Sequence, residues 1–369
     1  MQISKTSLKN NAELSFITDF LKAHTQRVFL VGGSVRDLLL GLEIDDYDIE
    51  IYDLSVLEFE NLMQKLGAKG FGKSFFVYKF KNYDLALARK ENKISQGHRG
   101  FEIQPCENEK EGAKRRDFTF NALMLNLFNF ELLDFYGGIK DLENKTLRHI
   151  HEKSFKEDSL RVLRALYFVA KFNFDISDET LNLMKTMDIS DLSLHRINAE
   201  FYKLFKGEYL LKAYKYLQKL NLEQKIFGQN FKDEKFPFLL ENARKFVKDE
   251  GLFLYLYLNH FKINKKLFFE KTQFKKSFLR AVNQAYFEED ISDFDLAKIS
   301  MQMPLKSWLG LWNEERIERA KKLKLYENKF QSKISSKKLI EQGFKGKNLG
   351  LELKRLKEEE LKAYLKGLV

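Results

Sequence analysis

The 369-residue chain has one cysteine, Cys106, three prolines and no long apolar run. With a single thiol no internal disulfide can form, which excludes a disulfide-stapled scaffold and fits a reducing, cytoplasmic setting. The longest apolar stretch, Leu252–Leu258, is far too short to span a bilayer. The N-terminal residues lack the apolar core of a secretion signal, so a cytoplasmic protein without a membrane partner is expected. Six histidines (24, 98, 149, 151, 195, 260) show no metal-ligand spacing. His149 and His151 read as local packing groups. Few prolines mean few helix breaks, and helix formers dominate the second half.

Hydrophobic residues make up 44%, enough to bury two or three cores in a chain of this length. The net charge of +11 is unevenly spread. Residues 201–369 hold 36 Lys and Arg against 22 Asp and Glu, a net +14, whereas the first 200 residues are at −3. A basic half beside a slightly acidic one suggests a polyanionic partner. The chain is also rich in Lys, Phe, Asn and Ile, so charge alone leaves that inference open.

Periodicity divides the chain. Residues 1–26 read as a short amphipathic helix and a connector. From Arg27 to about Ile150 the pattern is mixed α/β. Arg27–Val31 is a short apolar strand, Gly32-Gly33 a turn, and Ser34–Leu40 a helix that Gly41 can end. Ile44–Tyr52 alternates as a half-buried strand does. Phe75–Phe80 and Tyr83–Ala88 form a hairpin around Lys81-Asn82. Residues 89–114 are polar and read as a long mobile loop. Arg116–Leu125 reads as helical and Leu132–Tyr136 as a strand before Gly137-Gly138. After Lys153 the chain reads as helices with no clear strands. The expected fold is an α/β head, a mixed sheet with helices, followed by an all-α extension.

Four constellations carry chemistry. On the Asp46-Tyr47-Asp48 strand, Asp46, Asp48 and Glu50 share one face, and Tyr47, Ile49 and Ile51 take the buried face. Two carboxylates on one face can hold a pair of hard cations, and Mg²⁺ prefers such oxygen ligands. Two ions roughly 3.5–4 Å apart stabilise the attacking and leaving oxygens of a phosphoryl displacement. A solvated strand edge carries the same D-x-D pair. Asp84, facing away from Tyr83, Leu85 and Leu87, could complete the site from a neighbouring strand, or be an ordinary exposed residue.

Leu30-Val31-Gly32-Gly33-Ser34-Val35-Arg36-Asp37 is a strand–diglycine–helix junction. Bare glycine backbone and helix-start N–H groups attract phosphate, and Arg36 adds positive charge. A plain tight turn has the same pattern. Arg115-Arg116-Asp117-Phe118 places paired arginines where they could hold a triphosphate or simply cap a helix. In Glu157-Asp158-Ser159-Leu160-Arg161-Val162-Leu163-Arg164, Ser154 and Glu157 fit a capping box. Asp158, Arg161 and Arg164 then share one helix side. A carboxylate accepts from the amino group of cytosine or adenine and a guanidinium donates to the ring nitrogen. Guanine and uracil would leave both groups unpaired. A surface ion pair would look the same.

Taken in order, these motifs resemble the class II tRNA nucleotidyltransferases and bacterial poly(A) polymerases. Asp134-Phe135-Tyr136-Gly137-Gly138 and Leu147-Arg148-His149 are similar to that family's connecting segments. His195-Arg196-Ile197-Asn198-Ala199-Glu200 is similar to its neck motif, where Arg196 and Glu200 would be structural. The resemblance covers about residues 27–207. It implies a nucleotidyltransferase head over residues 1–150, a helical neck over 151–207 that recognises the base, and a basic helical body and tail over 208–369 that binds tRNA. Asp46 and Asp48 would bind catalytic Mg²⁺, with Asp84 as the accessory carboxylate. Gly33, Arg36 and Arg116 would contact the nucleotide, Asp158 and Arg161 would read its base, and Arg164 would lie near its phosphates. The 89–114 loop would help switch from C to A addition.

The implied activity is addition of CCA to the tRNA 3′ end from CTP and ATP. The 3′-hydroxyl, activated by one Mg²⁺, would attack the α-phosphorus while the second neutralises the triphosphate. The basic half would hold the acceptor arm of tRNA by shape and backbone, and no obligate protein partner is evident. Many family members carry an arginine where this chain has Tyr167, which puts one phosphate contact in doubt. Relatives with a C-terminal HD domain need clustered His and Asp, so no phosphohydrolase activity is expected. Gly72-Lys73-Ser74-Phe75-Phe76-Val77-Tyr78 looks closer to the tRNA enzymes than to the polymerases. The alternatives are a poly(A) polymerase, a partial CC- or A-adding enzyme, and a non-catalytic RNA-binding protein. Residues 343–350 read as a phosphate nest or a helix–turn–helix joint.

Overall fold

The computed structural model describes residues 8, 10–70, 76–93 and 101–368, with the side chains of 90–93 and 101–103 left aside. The chain forms two compact units, Met1–Ile197 and Asn198–Val369.

The first unit is built on a seven-stranded mixed sheet. Its strands are β1 (Val28–Val31), β2 (Tyr47–Ile51), β3 (Lys69–Gly70), β4 (Val77–Phe80), β5 (Tyr83–Leu87), β8 (Met124–Asn126) and β9 (Leu132–Leu133), in the order β3-β4-β5-β2-β1-β8-β9. Strand β1, inside the sheet between β2 and β8, is buried on both faces, which explains its unbroken apolar sequence. β5 alternates instead, turning Leu85 and Leu87 into the core, and β2 buries Ile49 and Ile51 there, with Glu50 between them buried as well. β2 runs parallel to β5 and pairs Asp48 with Asp84. That register, set by the apolar faces, brings the two carboxylates side by side.

Local signals account for the helices of this unit. Ser55 and Glu58 form a capping box at the start of Val56–Leu66, and Gly67 ends it at φ +78°. Gly32, at φ +64°, starts the Gly33–Leu39 helix, and Gly41 follows that helix at φ +71°. Behind the sheet an aromatic cluster joins Phe118, Phe120, Phe155 and Phe168 at ring distances of 5.3–5.7 Å.

Several expectations need correction. Residues 89–114 are not an irregular loop. Arg89–Lys93 (β6) and Phe101–Pro105 (β7) form an antiparallel ladder, and Glu109–Lys114 is helical with Asn108 as its cap. Residues 94–100 lie outside the described set. The ladder is a sheet separate from the main one, and β6 (Arg-Lys-Glu-Asn-Lys) is wholly polar in sequence, so it gives no strand signal of its own. Arg116–Leu125 is not one helix. It contains a 3₁₀ turn, Thr119–Asn121, and then β8. The Asp117 side chain takes the Phe118 N–H, a local bond that competes with helix formation.

Ser154 and Glu157 do not make a capping box. Ser154 lies inside the Glu152–Lys156 helix and Glu157 caps its end. Asp158 therefore precedes the next helix, Leu160–Phe172, rather than belonging to it. One short strand also occurs beyond Lys153. Asp175–Ile176 (β11) pairs parallel with Thr146–Leu147 (β10), a bond pair too brief to leave a periodic signal. The Phe75–Phe80 strand is Val77–Phe80, and Leu132–Tyr136 is reduced to β9. Gly72–Phe75 lie outside the described residues.

The second unit is helical. The Leu252–His260 helix is apolar all round because it is the unit's centre, and every residue from Leu252 to Leu258 is buried. Phe205, Phe236 and Phe253 pack around Tyr257 and Phe274, and a further core gathers on Trp308, Leu305 and Leu361. Gly343 and Gly346, both at positive φ, sit at the joint between the Ser336–Glu341 and Gly346–Lys366 helices. No described helix is long and apolar enough to cross a membrane.

Candidate active site

The geometry starts with Ser34. Its buried hydroxyl donates to the Asp46 carbonyl (3.0 Å) and accepts from the Asp48 N–H (2.9 Å). This staple ties the diglycine turn to β2 and sets the D-x-D segment beside it. Nothing in the sequence beyond a small polar residue after Gly33 hints at that role.

Asp46 is exposed and Asp48 half-buried. Burial pushes the Asp48 carboxyl above the ordinary range; Arg116 opposes this, and the negative charges of Asp84, Glu50 and Asp46 add to it. The ammonium of Lys79 on β4 lies 3.4 Å from Asp46 and 3.3 Å from Asp84. A crowded set of carboxylate oxygens that already draws one cation fits a hard divalent ion. Lys79 was not foreseen, because its approach depends on the β4–β5 register that pairs it with Asp84.

Glu50 departs from the other two acids. It is 2% exposed and accepts hydrogen bonds through Oε1 from Arg115 and, at 3.1 Å, from Arg116. Burial raises its pKa, but the two guanidinium groups outweigh that and hold it below the ordinary range. Arg116 continues over the diglycine turn. The positive φ of Gly32 favours glycine there, and a Cβ would come 2.5 Å from Arg116 Nη1, so the guanidinium would have to shift.

A cavity of about 420 Å³ opens here, lined by Gly32, Gly33, Asp48, Arg115 and Arg116 on one side. Arg36, Asp117, Asn121, Asp158, Arg161 and Arg164 line the rest, together with Leu160. Five arginines face three aspartates, an excess suited to a polyanion. The structure thus brings together seven of the nine residues expected from sequence. Asp46 and Asp84 flank Asp48 on the sheet but do not line the cavity.

Several lining groups are also tied to neighbours. Arg36 bonds Asp37 through Nε and Nη2 and Asn121 through Nη1, and lies 5.0 Å from the Phe172 ring centre. Asp117 accepts from Phe118, Asn121 and Arg164. Burial alone would raise its pKa, but Arg164, Asn121 and Arg161 together bring it down to about 2. Arg161 donates to the carbonyls of Arg115, Arg116 and Ser154, so it braces the paired-arginine segment. Asp158 accepts from Arg196 (3.0 Å) and the Leu160 N–H, both at Oδ1. Arg196 therefore holds Asp158 directly, which the sequence spacing of 38 residues concealed. Tyr167 packs against Phe168 at 4.9 Å and does not line the cavity. His149 bonds Thr180 (2.8 Å) and His151 caps a helix, the local roles expected of them.

Residues 28–148 match the poly A polymerase head domain. The multifunctional CCA protein of Nitrosospira multiformis is 42% identical over 165 residues, 44% of this chain and 38% of that protein. The protein of the same name from Xylella fastidiosa is 41% identical over 169 residues, 44% and 39% of the two chains. The chain therefore spans about two fifths of the length of the curated relatives it matches. The fold is similar to that of the Thermotoga maritima CCA-adding enzyme complexed with tRNA (TM-score 0.69, 20% identity, 100% of this chain and 99% of that one). It is also similar to a CCA-adding enzyme with CTP (TM-score 0.70, 21% identity, 99% and 98%). Residues 28–148 thus belong to the poly A polymerase head domain family, and the whole chain carries the fold of the CCA-adding enzymes.

Proposed function

We propose that the chain is a tRNA nucleotidyltransferase that adds C, C and A to the 3′ end of tRNA from CTP and ATP without a template. The observation that carries this is the single cavity in which the diglycine turn, Asp48, the paired arginines and the Asp158–Arg161 segment meet. The relatives' names support the same reading.

Asp46 and Asp48 would hold Mg²⁺ with Asp84 beside them, and the ion would supply activation of the hydroxyl and neutralisation of the triphosphate. Lys79, which lies between Asp46 and Asp84, would have to give way where those carboxylates hold a metal ion. Arg116, Arg36 and Arg164 bind the triphosphate, and Gly33 lets its oxygens approach the backbone. Asp158, held by Arg196 through Oδ1, keeps Oδ2 for the amino group of cytosine or adenine. Arg161, braced by three carbonyls, donates to the ring nitrogen. A base with the opposite pattern leaves this acid and this guanidinium unpaired, which rejects GTP and UTP. The tRNA 3′-hydroxyl attacks the α-phosphorus and pyrophosphate leaves, so positioning and charge carry the rate. Residues 1–150 serve as the catalytic head, 151–207 as the base-reading neck, and the basic residues 208–369 as the grip on the acceptor arm of tRNA.

The test is addition to a tRNA transcript lacking CCA, with Mg²⁺ and CTP, ATP, both, or GTP and UTP, read at single-nucleotide resolution. Two additions with CTP and three with both, then a stop, are expected. The match to a poly A polymerase head supports one second reading, a poly(A) polymerase, and a long ATP-only ladder would select it. Stopping after CC, or adding only A, would mark a partial enzyme. No addition with retained tRNA binding would overturn catalysis.

A further inference from the structure

We propose that Glu50, which does not line the cavity, is the positioning residue that aims Arg116 into it, a role resting on the nucleotide-binding reading above. By strand alternation Glu50 is the third acid on the Asp46–Asp48 face, and sequence alone would make it a metal ligand. Its surroundings give it another task. It is almost fully buried, and an isolated carboxylate so placed would be strongly disfavoured. Arg115 and Arg116 compensate it through the same Oε1 oxygen, and the Tyr52 hydroxyl lies 3.4 Å from Oε2.

Arg116 is consequently held at one end of its guanidinium. Nη2 is held by Glu50, and Nη1 lies over the bare backbone of Gly32 at the cavity wall, beside Asp48. The bonds from Arg161 to the Arg115 and Arg116 carbonyls fix the backbone of this segment but not the direction of its side chains. That direction comes from Glu50. Two adjacent guanidinium groups would otherwise repel each other and spread toward solvent. With one carboxylate between them they converge and leave one net positive charge at the cavity. Arg116 Nε is buried with no hydrogen-bond partner among the described residues.

The experiment compares wild type, Glu50→Gln, Arg116→Gln and the Glu50→Gln/Arg116→Gln pair. Full-length protein is assayed for tRNA extension at varied CTP, ATP and Mg²⁺, with ATP binding measured by calorimetry without tRNA. Glu50→Gln should raise KM for both nucleotides about tenfold, the scale of one charge-assisted bond, with kcat little changed. Its Mg²⁺ dependence should match wild type, and adding it to Arg116→Gln should raise KM no further. Should Glu50→Gln fail to fold, Glu50→Gln/Arg115→Gln restores the buried charge balance and carries the same expectation.

A shifted Mg²⁺ requirement with lowered kcat would make Glu50 a metal ligand and overturn the proposal. Additive KM effects, or a lowered melting temperature with unchanged KM, would overturn it as well. A wild-type chain that neither binds nor adds CTP and ATP would remove the underlying reading, and the proposal with it. An active wild type with an unaltered Glu50→Gln removes the proposal alone.

Discussion

Buried charge is handled differently in the two units. In residues 1–197 the buried Arg36, Glu50 and Asp117 pair with side chains from distant parts of the sequence, and Arg36 and Asp117, with Glu50's partners Arg115 and Arg116, line the cavity. In residues 198–369 buried Glu200 pairs with Lys203 only three residues on, and the other buried charges, Glu223, Arg244 and Arg316, are closed off by neutral groups. Glu223 accepts from the Tyr257 hydroxyl (2.6 Å), the Tyr214 hydroxyl and Gln218. Arg316 donates to the carbonyls of Gly310, Phe287 and Glu289 and lies 4.5 Å from the Trp312 ring centre. Arg244 similarly donates to the carbonyls of Lys206, Val247 and Asp249. The contrast teaches that burial alone does not mark a functional charge. What marks it is a charged partner plus an open cavity into which capacity remains.

The largest test of this contrast is Asp48→Ala. Removing a charge at the cavity should lower nucleotide addition by at least about 10²–10³-fold, the scale of losing one preorganised electrostatic group. The melting temperature should hold or rise, because the crowding with Asp84 and Asp46 is relieved. Equal activity would undo the site assignment.

Tyr257→Phe should do the opposite. It removes the shortest donor to Glu223 and should cost about 1.5–3 kcal/mol in urea unfolding, while extension per folded molecule stays at wild type. Lost activity at unchanged stability would break the distinction between the units.

A smaller effect is expected from acid. Asp117 is held at about 2 in the folded state, well below an unfolded aspartate, so its stabilisation is complete above the unfolded pKa of roughly 4. It is lost as pH falls from there toward 2, by about 2–3 kcal/mol in all. Asp117→Asn should flatten that part of the stability curve measured by urea unfolding between neutral pH and pH 2.

The smallest effect belongs to Arg355. It bridges Glu352 and Glu359 on the exposed face of its helix. Arg355→Ala should leave the urea midpoint within experimental error, as exposed pairs usually do. A clear shift would mean that this helix face is covered in solution.

Much of the fold was legible because its signals are local. The D-x-D strand, the diglycine junction, Gly41 and the helical second half all follow from periodicity and turn chemistry. The errors lie where side chains override propensity. Asp117 diverts the Phe118 N–H and breaks an expected helix, and β6, Arg-Lys-Glu-Asn-Lys, is a strand written in polar residues alone. Of the site, the residue types and most positions were legible, but the partnerships were not. Lys79 reaches Asp46 across 33 residues, and Glu50 reaches Arg115 across 65.

By itself the sequence determined an α/β head, a helical and basic remainder, and the acids and arginines available for chemistry. Alternation and glycine placement are properties of a few neighbouring residues, so they survive in one dimension. Only the tertiary structure decided which acids share the carboxylate cluster and which is spent on arginines. Asp48 and Glu50 occupy the same strand face, yet one stands beside Asp84 and the other beneath Arg115 and Arg116. The choice between them depends on sheet register and on segments far apart along the chain, and no local pattern encodes that.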